Sequence, residues 1–160
     1  RGDGDSDVKY FITGSAGFVG FHLARRLLGA GHRVVGVDAM TPYYDPALKR
    51  ARHAVLEAFP AVTPVTGAIE EPGVLGRAAG IATPEVILHC AAQAGVRYSL
   101  ENPGAYIQSN LVGSWALFEL AREVRPAHLL IASSSSVARS MRSYQISSGL
   151  MSANSHNRSR

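Results

Sequence analysis

The apolar positions change period several times along this chain, and the changes mark the elements. Val8 to Thr13 is a short run of β-forming residues, long enough for one buried strand. Past the glycines that follow, the spacing turns helical, with Val19, Leu23 and Leu27 at four-residue steps beside Ala24 and Leu28. Gly29 and Gly31 stop that helix, and Arg33 to Val37 forms a second strand ending on Asp38. Asp45 caps and Pro46 opens a helix through Phe59, which predicts Leu48, Val55 and Phe59 on its buried side. Residues 61–66 read as a third strand, about 71–79 as a weak helix, and 85–89 as a fourth strand. Pro103 opens a long helix to about Glu123, predicted to bury Ile107, Leu111, Trp115 and Phe118, and 129–132 makes a fifth strand. Strands alternating with helices imply parallel pairing through right-handed crossovers. The predicted fold class is therefore α/β, a doubly wound parallel sheet of order 3-2-1-4-5.

The glycines between the first strand and helix supply chemistry. Gly14 allows a tight turn, Gly17 lets backbone approach a pyrophosphate, and Gly20 lets the helix pack closely. The helix start adds unpaired N–H groups and a partial positive charge for phosphates. Asp38, ending the second strand, can accept hydrogen bonds from both hydroxyls of an adenosine ribose and repels a 2′-phosphate, which favours NAD over NADP. Strand, glycines, helix and acid at these offsets make a Rossmann dinucleotide site, expected at the carboxyl edge where the strand order reverses. A glycine-rich turn that packs the unit without a ligand is the alternative.

Composition narrows the class. The 160 residues are 46% hydrophobic and 18% charged, enough for one domain with a core. No apolar run reaches membrane-spanning length, so no membrane partner is expected. The single cysteine, Cys90, sits among Leu88, Ala91 and Ala92 and reads as a packed thiol in a reducing, cytoplasmic setting. Six scattered histidines form no metal motif. Net charge is +4, but Arg139, Arg142, Arg158 and Arg160 lie in the last 23 residues, which contain no acid. Without those four, 12 basic residues balance 12 acidic ones, so the charge is no argument for nucleic-acid binding.

Four stretches then resemble a known family: G-S-A-G-F-V-G-F-H-L-A-R-R-L, D-A-M-T-P-Y-Y-D-P-A-L-K-R-A-R, H-C-A-A-Q-A-G-V-R-Y-S-L-E-N-P and I-A-S-S-S-S-V. They are similar to the extended short-chain dehydrogenases/reductases, and within them to the nucleotide-sugar 4-epimerases, UDP-glucuronate 4-epimerases above UDP-glucose ones. Dehydratases and reductases of nucleotide sugars share nearly all of these motifs and stay open. The resemblance implies NAD as cofactor, a UDP-sugar as substrate, and transient oxidation at sugar C4, with hydride lent to the cofactor and returned to the other face. It also implies dimeric relatives, so a homodimer or other self-association is expected. By the same resemblance Gly14, Gly17, Phe18, Val19 and Gly20 hold the pyrophosphate and Asp38 the ribose. Ala91 and Ala92 line the cofactor, Asn110 bonds strand backbone beneath it, and Ser133 lies beside the nicotinamide. Ser134 takes the catalytic Ser/Thr place, and Arg97 and Ser99 are sugar-side candidates or simply loop residues.

Departures from the pattern matter as much. Where the family carries an acid after strand three, this chain has Ala68, leaving the backbone of Ile69 to read adenine. After Val137 the family's Tyr-Gly is replaced by Ala138-Arg139, and the only later tyrosine is Tyr144, with Ser148 where a Tyr-x-x-x-Lys motif needs lysine. No lysine follows Lys49 anywhere. That lysine would lower the tyrosine pKa and bind the nicotinamide ribose, and serine cannot supply the charge. The expected organisation is a flexible leader over 1–7, an NAD-binding domain over 8–137 and a Ser/Arg-rich tail over 138–160, with the C-terminal substrate domain absent. A truncated, inactive cofactor-binding module is the competing expectation to an active epimerase.

Overall fold

A computed structural model describes residues 7–133. Five strands, β1 (Lys9–Thr13), β2 (Arg33–Asp38), β3 (Val62–Thr66), β4 (Val86–His89) and β5 (His128–Ile131), form one parallel sheet in the order β3-β2-β1-β4-β5. The predicted topology is the observed one. Asp7, assigned above to the leader, is ordered against β2 by a 2.5 Å ion pair with Arg33.

Helices cover both faces because strand side chains alternate in direction. Phe11, Val35, Val37 and Ile87 point to one side and pack on α3 (Val74–Ile81) and α6 (Gly113–Val124), chiefly through Val74, Ala78, Leu117 and Leu120. Ile12 and Val34 point the other way and meet Phe21, Ala24 and Leu28 of α1 (Phe18–Gly29) and Leu56 of α2 (Pro46–Glu57). Between β4 and α6 the chain makes two short helices, α4 (Val96–Glu101) and α5 (Pro103–Tyr106), then a π-helical stretch over Ile107–Val112.

Three buried faces differ from their predicted positions. In α1 the inward residues are Gly20, Phe21, Ala24 and Leu28, while Val19 is exposed. In α2 they are Lys49, His53 and Leu56, one face at helical spacing, and Leu48 and Val55 point to solvent. Two polar groups hold inward positions there because they meet polar partners on the glycine turn and on Asp38. The long helix predicted from Pro103 is broken by the π-helical residues, and its inward side is Gly113, Leu117, Leu120 and Ala121. Ile107, Leu111, Trp115 and Phe118 form a second apolar stripe that faces outward. Period alone cannot choose between two apolar faces of one helix. The predicted 71–79 helix begins later, at Val74, since Gly73 holds φ 82° and ends the preceding turn.

Candidate functional site

The carboxyl ends of β1, β2 and β4 open into a cleft of about 210 Å³, at the point where the strand order reverses between β1 and β4. The glycine turn forms its floor. Gly14 donates to the Val37 carbonyl at 2.7 Å, Ser15 to the same oxygen at 3.3 Å, and Gly17 closes back on the Gly14 carbonyl at 3.0 Å. Gly14 has φ 73°, and a Cβ there would stand 2.7 Å from the Ala91 nitrogen. No side chain fits at that crossing of two loops. A Cβ on Gly20 would lie 2.2 Å from the Gly14 carbonyl oxygen, so α1 rests directly on the turn. Gly17 caps α1 with no side chain, and Phe21 is the first residue whose N–H reaches back, to the Gly17 carbonyl at 3.0 Å. The preceding N–H groups, of Phe18, Val19 and Gly20, are those a helix start leaves unpaired.

α2 braces this turn from the side. His53 meets Ser15 (Nε2 to Oγ, 3.3 Å), and Arg52 donates to the Ala16 carbonyl at 3.1 Å. Lys49 donates to Asp38 at 3.1 Å and to the Thr41 hydroxyl at 3.3 Å. None of these was singled out from the sequence. Their signal is Lys49, His53 and Leu56 at i, i+4 and i+7, a helical face carrying two polar residues. Burial lowers the His53 pKa and keeps its ring neutral, with the Asp38 charge a smaller opposing influence.

Asp38 is buried and well supplied with donors. Its Oδ2 accepts from the Ala16 amide at 3.0 Å, and its Oδ1 from the Met40 amide at 2.8 Å and from Lys49. Beneath the loop after β4 the Thr13 hydroxyl accepts from the Ala91 amide and joins His89 Nδ1 at 2.7 Å, while His89 Nε2 meets Ser114 at 3.0 Å. That buried chain ties β1, β4 and α6 together below the cleft. Burial lowers the His89 pKa and pushes the Cys90 thiol up, so the cysteine is a packed thiol rather than an activated one.

Of the residues singled out beforehand, Gly14, Gly17, Asp38, Ile69, Ala91 and Ala92 come together as walls of the cleft. Phe18 and Val19 are exposed, and they and Gly20 lie outside the walls. Asn110 does not reach strand backbone. It holds the loop after β4 instead, accepting from the Gln93 amide at 2.7 Å and donating to the Gln93 carbonyl at 2.9 Å. Gln93 is itself a wall residue, so Asn110 acts through that loop. Arg97 and Ser99 sit on α4 outside the walls, where the Ser99 hydroxyl bonds back within its own helix, donating to the Val96 carbonyl at 2.6 Å. Ser133 follows the end of β5 and is not one of the residues that wall the cleft. Ser134 and Tyr144 lie outside the described residues. Glu70 also lines the cleft, so a carboxylate is present beside Ile69 where Ala68 had suggested none. Ile69 is buried, and a Cβ at Gly113 would stand 2.6 Å from its side chain, so the glycine opening α6 lets that helix pack closely on this wall residue of the cleft.

These features fit a dinucleotide: a bare turn that any Cβ would fill, an uncapped helix start, and a carboxylate and ammonium at the end of β2. Comparison with known proteins points the same way. A probable UDP-glucuronate 4-epimerase of Rhizobium meliloti (strain 1021) is 58% identical over 130 residues, covering 81% of this chain and 38% of that relative. UDP-glucuronate 4-epimerase 4 of Arabidopsis thaliana is 42% identical over 134 residues, covering 83% and 30%. Among solved structures, a UDP-glucuronic acid 4-epimerase mutant from Bacillus cereus, in complex with a fluorinated UDP-glucuronic acid and NAD, superposes with TM-score 0.73 at 27% identity, covering 81% and 41%. A UDP-glucose-4-epimerase from Stenotrophomonas maltophila with bound NAD gives TM-score 0.69 at 27% identity, covering 81% and 38%. The chain thus spans well under half the length of the relatives it matches. The model of the NAD dependent epimerase/dehydratase family matches residues 10–156, past Val137 and into the Ser/Arg-rich stretch. The chain belongs to the NAD dependent epimerase/dehydratase family.

Proposed function

We propose that this chain is the NAD-binding portion of a UDP-glucuronate 4-epimerase, an isomerase that interconverts UDP-glucuronate and UDP-galacturonate. One observation carries the reading: the cleft where the glycine turn, Asp38 and the loop after β4 converge at the reversal of strand order. When bound, NAD supplies a hydride acceptor that returns what it takes. The chain's residues bind and orient. The turn from Gly14 to Gly17 and the first N–H groups of α1 face the pyrophosphate, Asp38 holds the adenosine ribose, and Ile69 and Glu70 take the adenine end. Ala91 and Ala92 wall the site, with Asn110 fixing their loop. Ser133 stands toward the nicotinamide, Ser134 donates to the sugar hydroxyl, and Tyr144 is the remaining phenol for proton exchange. Arg97 and Ser99 stay assigned to the sugar side. Glucuronate rather than glucose rests on the 58% identical relative.

A UDP-sugar is then the small-molecule partner, and neither nucleic acid nor membrane is needed. No helix among the described residues is long and apolar enough to cross a membrane. A cytoplasmic location agrees with the lone thiol Cys90. Self-association is supported by the outward stripe on α6 and by β5, where Leu130 and Ile131 are exposed.

The second reading, a non-catalytic NAD-binding module, is favoured by one fact: no lysine follows Lys49, so Tyr144 lacks the cation a Tyr-x-x-x-Lys pair provides. Calorimetric titration of the 160-residue chain with NAD and NADP tests what both readings share. NAD is expected to bind and NADP to bind more weakly, and equal or tighter NADP binding defeats the cofactor assignment.

A further inference from the structure

Asp38 has room for only one of the two hydroxyls of the adenosine ribose assigned to it. A carboxylate offers about four acceptor positions. In Asp38 three are taken: Oδ2 by the Ala16 amide, and Oδ1 by the Met40 amide and by the Lys49 ammonium. One position remains, on Oδ2, while an unmodified ribose presents two neighbouring hydroxyls. A second polar group must therefore meet the second hydroxyl.

Lys49 is that group. It sits on the inward face of α2, 7% exposed, yet it lines the cleft beside Asp38. An ammonium carries three N–H donors. Two are directed at Asp38 Oδ1 (3.1 Å) and Thr41 Oγ1 (3.3 Å), and the third has no protein partner among the described residues. A buried lysine retained with an unused donor at a ligand wall is costly unless a ligand completes it. Arg52, another cation on the same helix, is committed elsewhere. It donates to the Ala16 carbonyl, lies 5.9 Å from the Phe18 and Phe21 ring centres, and does not line the cleft.

We propose that Lys49 is the second ribose ligand, donating to one hydroxyl oxygen while Asp38 Oδ2 accepts from the other, and that it gives the site a latent affinity for a 2′-phosphate which the Asp38 carboxylate masks. The inference rests on the cofactor reading above and deepens it. Cofactor choice is then set by a carboxylate–ammonium pair rather than by the acid alone. Removing the acid converts the site, because the cation left behind is placed for phosphate.

The test is a set of calorimetric titrations with NAD and NADP on the 160-residue chain, for the wild type, Lys49→Met, Asp38→Ser and the double variant. Lys49→Met keeps an apolar stem of similar length and should weaken NAD about tenfold, the loss of one charge-assisted hydrogen bond. Asp38→Ser should bind NADP at least about tenfold more tightly than the wild type does. Adding Lys49→Met to Asp38→Ser should remove that gain while changing NAD much less. Should the single lysine variant unfold because it strands a buried carboxylate, the double variant still decides, since it removes both charges together. Equal NADP affinity in Asp38→Ser and the double variant overturns the proposal and leaves the cofactor reading intact. A wild-type chain that binds no NAD overturns both.

Discussion

Replacing Gly20 by alanine probes the seat of α1 on the glycine turn. The new Cβ would lie 2.2 Å from the Gly14 carbonyl oxygen and 2.8 Å from its carbon, both backbone atoms that cannot rotate away. To restore even a tight 3.0 Å contact the helix and turn must part by 3.0 − 2.2 = 0.8 Å. Overpacking of that size costs about 1–3 kcal/mol, against which alanine's helix propensity returns up to about 1 kcal/mol. Gly29, in the same helix, has nothing within 4 Å of its virtual Cβ, so Gly29→Ala should stabilise by about 0.5–1 kcal/mol. One substitution at two positions of one helix thus predicts opposite signs. Urea unfolding followed by circular dichroism should place Gly20→Ala below the wild type and Gly29→Ala above it. The thermal midpoints should separate by several degrees, at about 2–4 °C per kcal/mol for a chain of this length. The displaced turn should also weaken NAD about tenfold in Gly20→Ala alone, through misplaced phosphate donors. If Gly20→Ala unfolds with or after the wild type and binds NAD equally well, the contact is softer than the geometry says and the reasoning fails.

Three further outcomes follow from the same structure. His53 and His89 are held below the usual histidine value of 6.5 by burial, so below about that pH the unfolded chain binds protons the folded one refuses. The urea midpoint should be level above pH 7 and fall on acidification through 6.5, more gently in His89→Asn, and a midpoint that rises on acidification contradicts the assignment. The purified 160-residue chain should not interconvert UDP-glucuronate and UDP-galacturonate, and turnover abolished by Ser134→Ala would refute this. Light scattering should show association that weakens in Trp115→Ser or Leu111→Ser, whereas a monomer whose β5 amides exchange as slowly as those of β1 would mean that β5 and the α6 stripe are not an interface.

Strand order and the turn were legible because each is written locally: short apolar runs, three glycines and an acid at fixed offsets. What escaped the sequence reading was orientation. Leu48 and Val55 looked like the inward face of α2 because apolar residues normally take it, yet Lys49 and His53 do so, since they meet Asp38 and Ser15, which lie 11 and 38 residues earlier in the chain. Partners that far apart leave no mark on a local period. In the Pro103–Val124 region the difficulty was degeneracy, because two apolar stripes run along it and the π-helical residues break the regular phase between them. Asn110 was expected to bond strand backbone and bonds the Gln93 backbone instead, because Gln93 belongs to an irregular segment whose path no periodicity predicts.

The inward polar face of α2 also explains how a turn made of small residues can be held still. Glycines give the turn its shape but no side chains with which to fix it, and the start of α1 that it leads into must keep its donors free for a ligand. The rigidity has to come from a neighbour. Arg52 takes the Ala16 carbonyl, His53 takes the Ser15 hydroxyl, and Asp38 takes the Ala16 amide while bonded to Lys49. All of these contacts fall on Ser15 and Ala16, and none on Gly14 or Gly17, the two turn residues that line the cleft. The side chains of one helix and one strand end thereby clamp the back of the turn and leave its front open. Loosening that clamp should reach the ligand only through the turn. Arg52→Met is therefore expected to weaken NAD and NADP by the same factor, whereas changes at Asp38 or Lys49 alter their ratio. A change of ratio in Arg52→Met, measured by the same titrations, would show that the back and front of the turn are not separate.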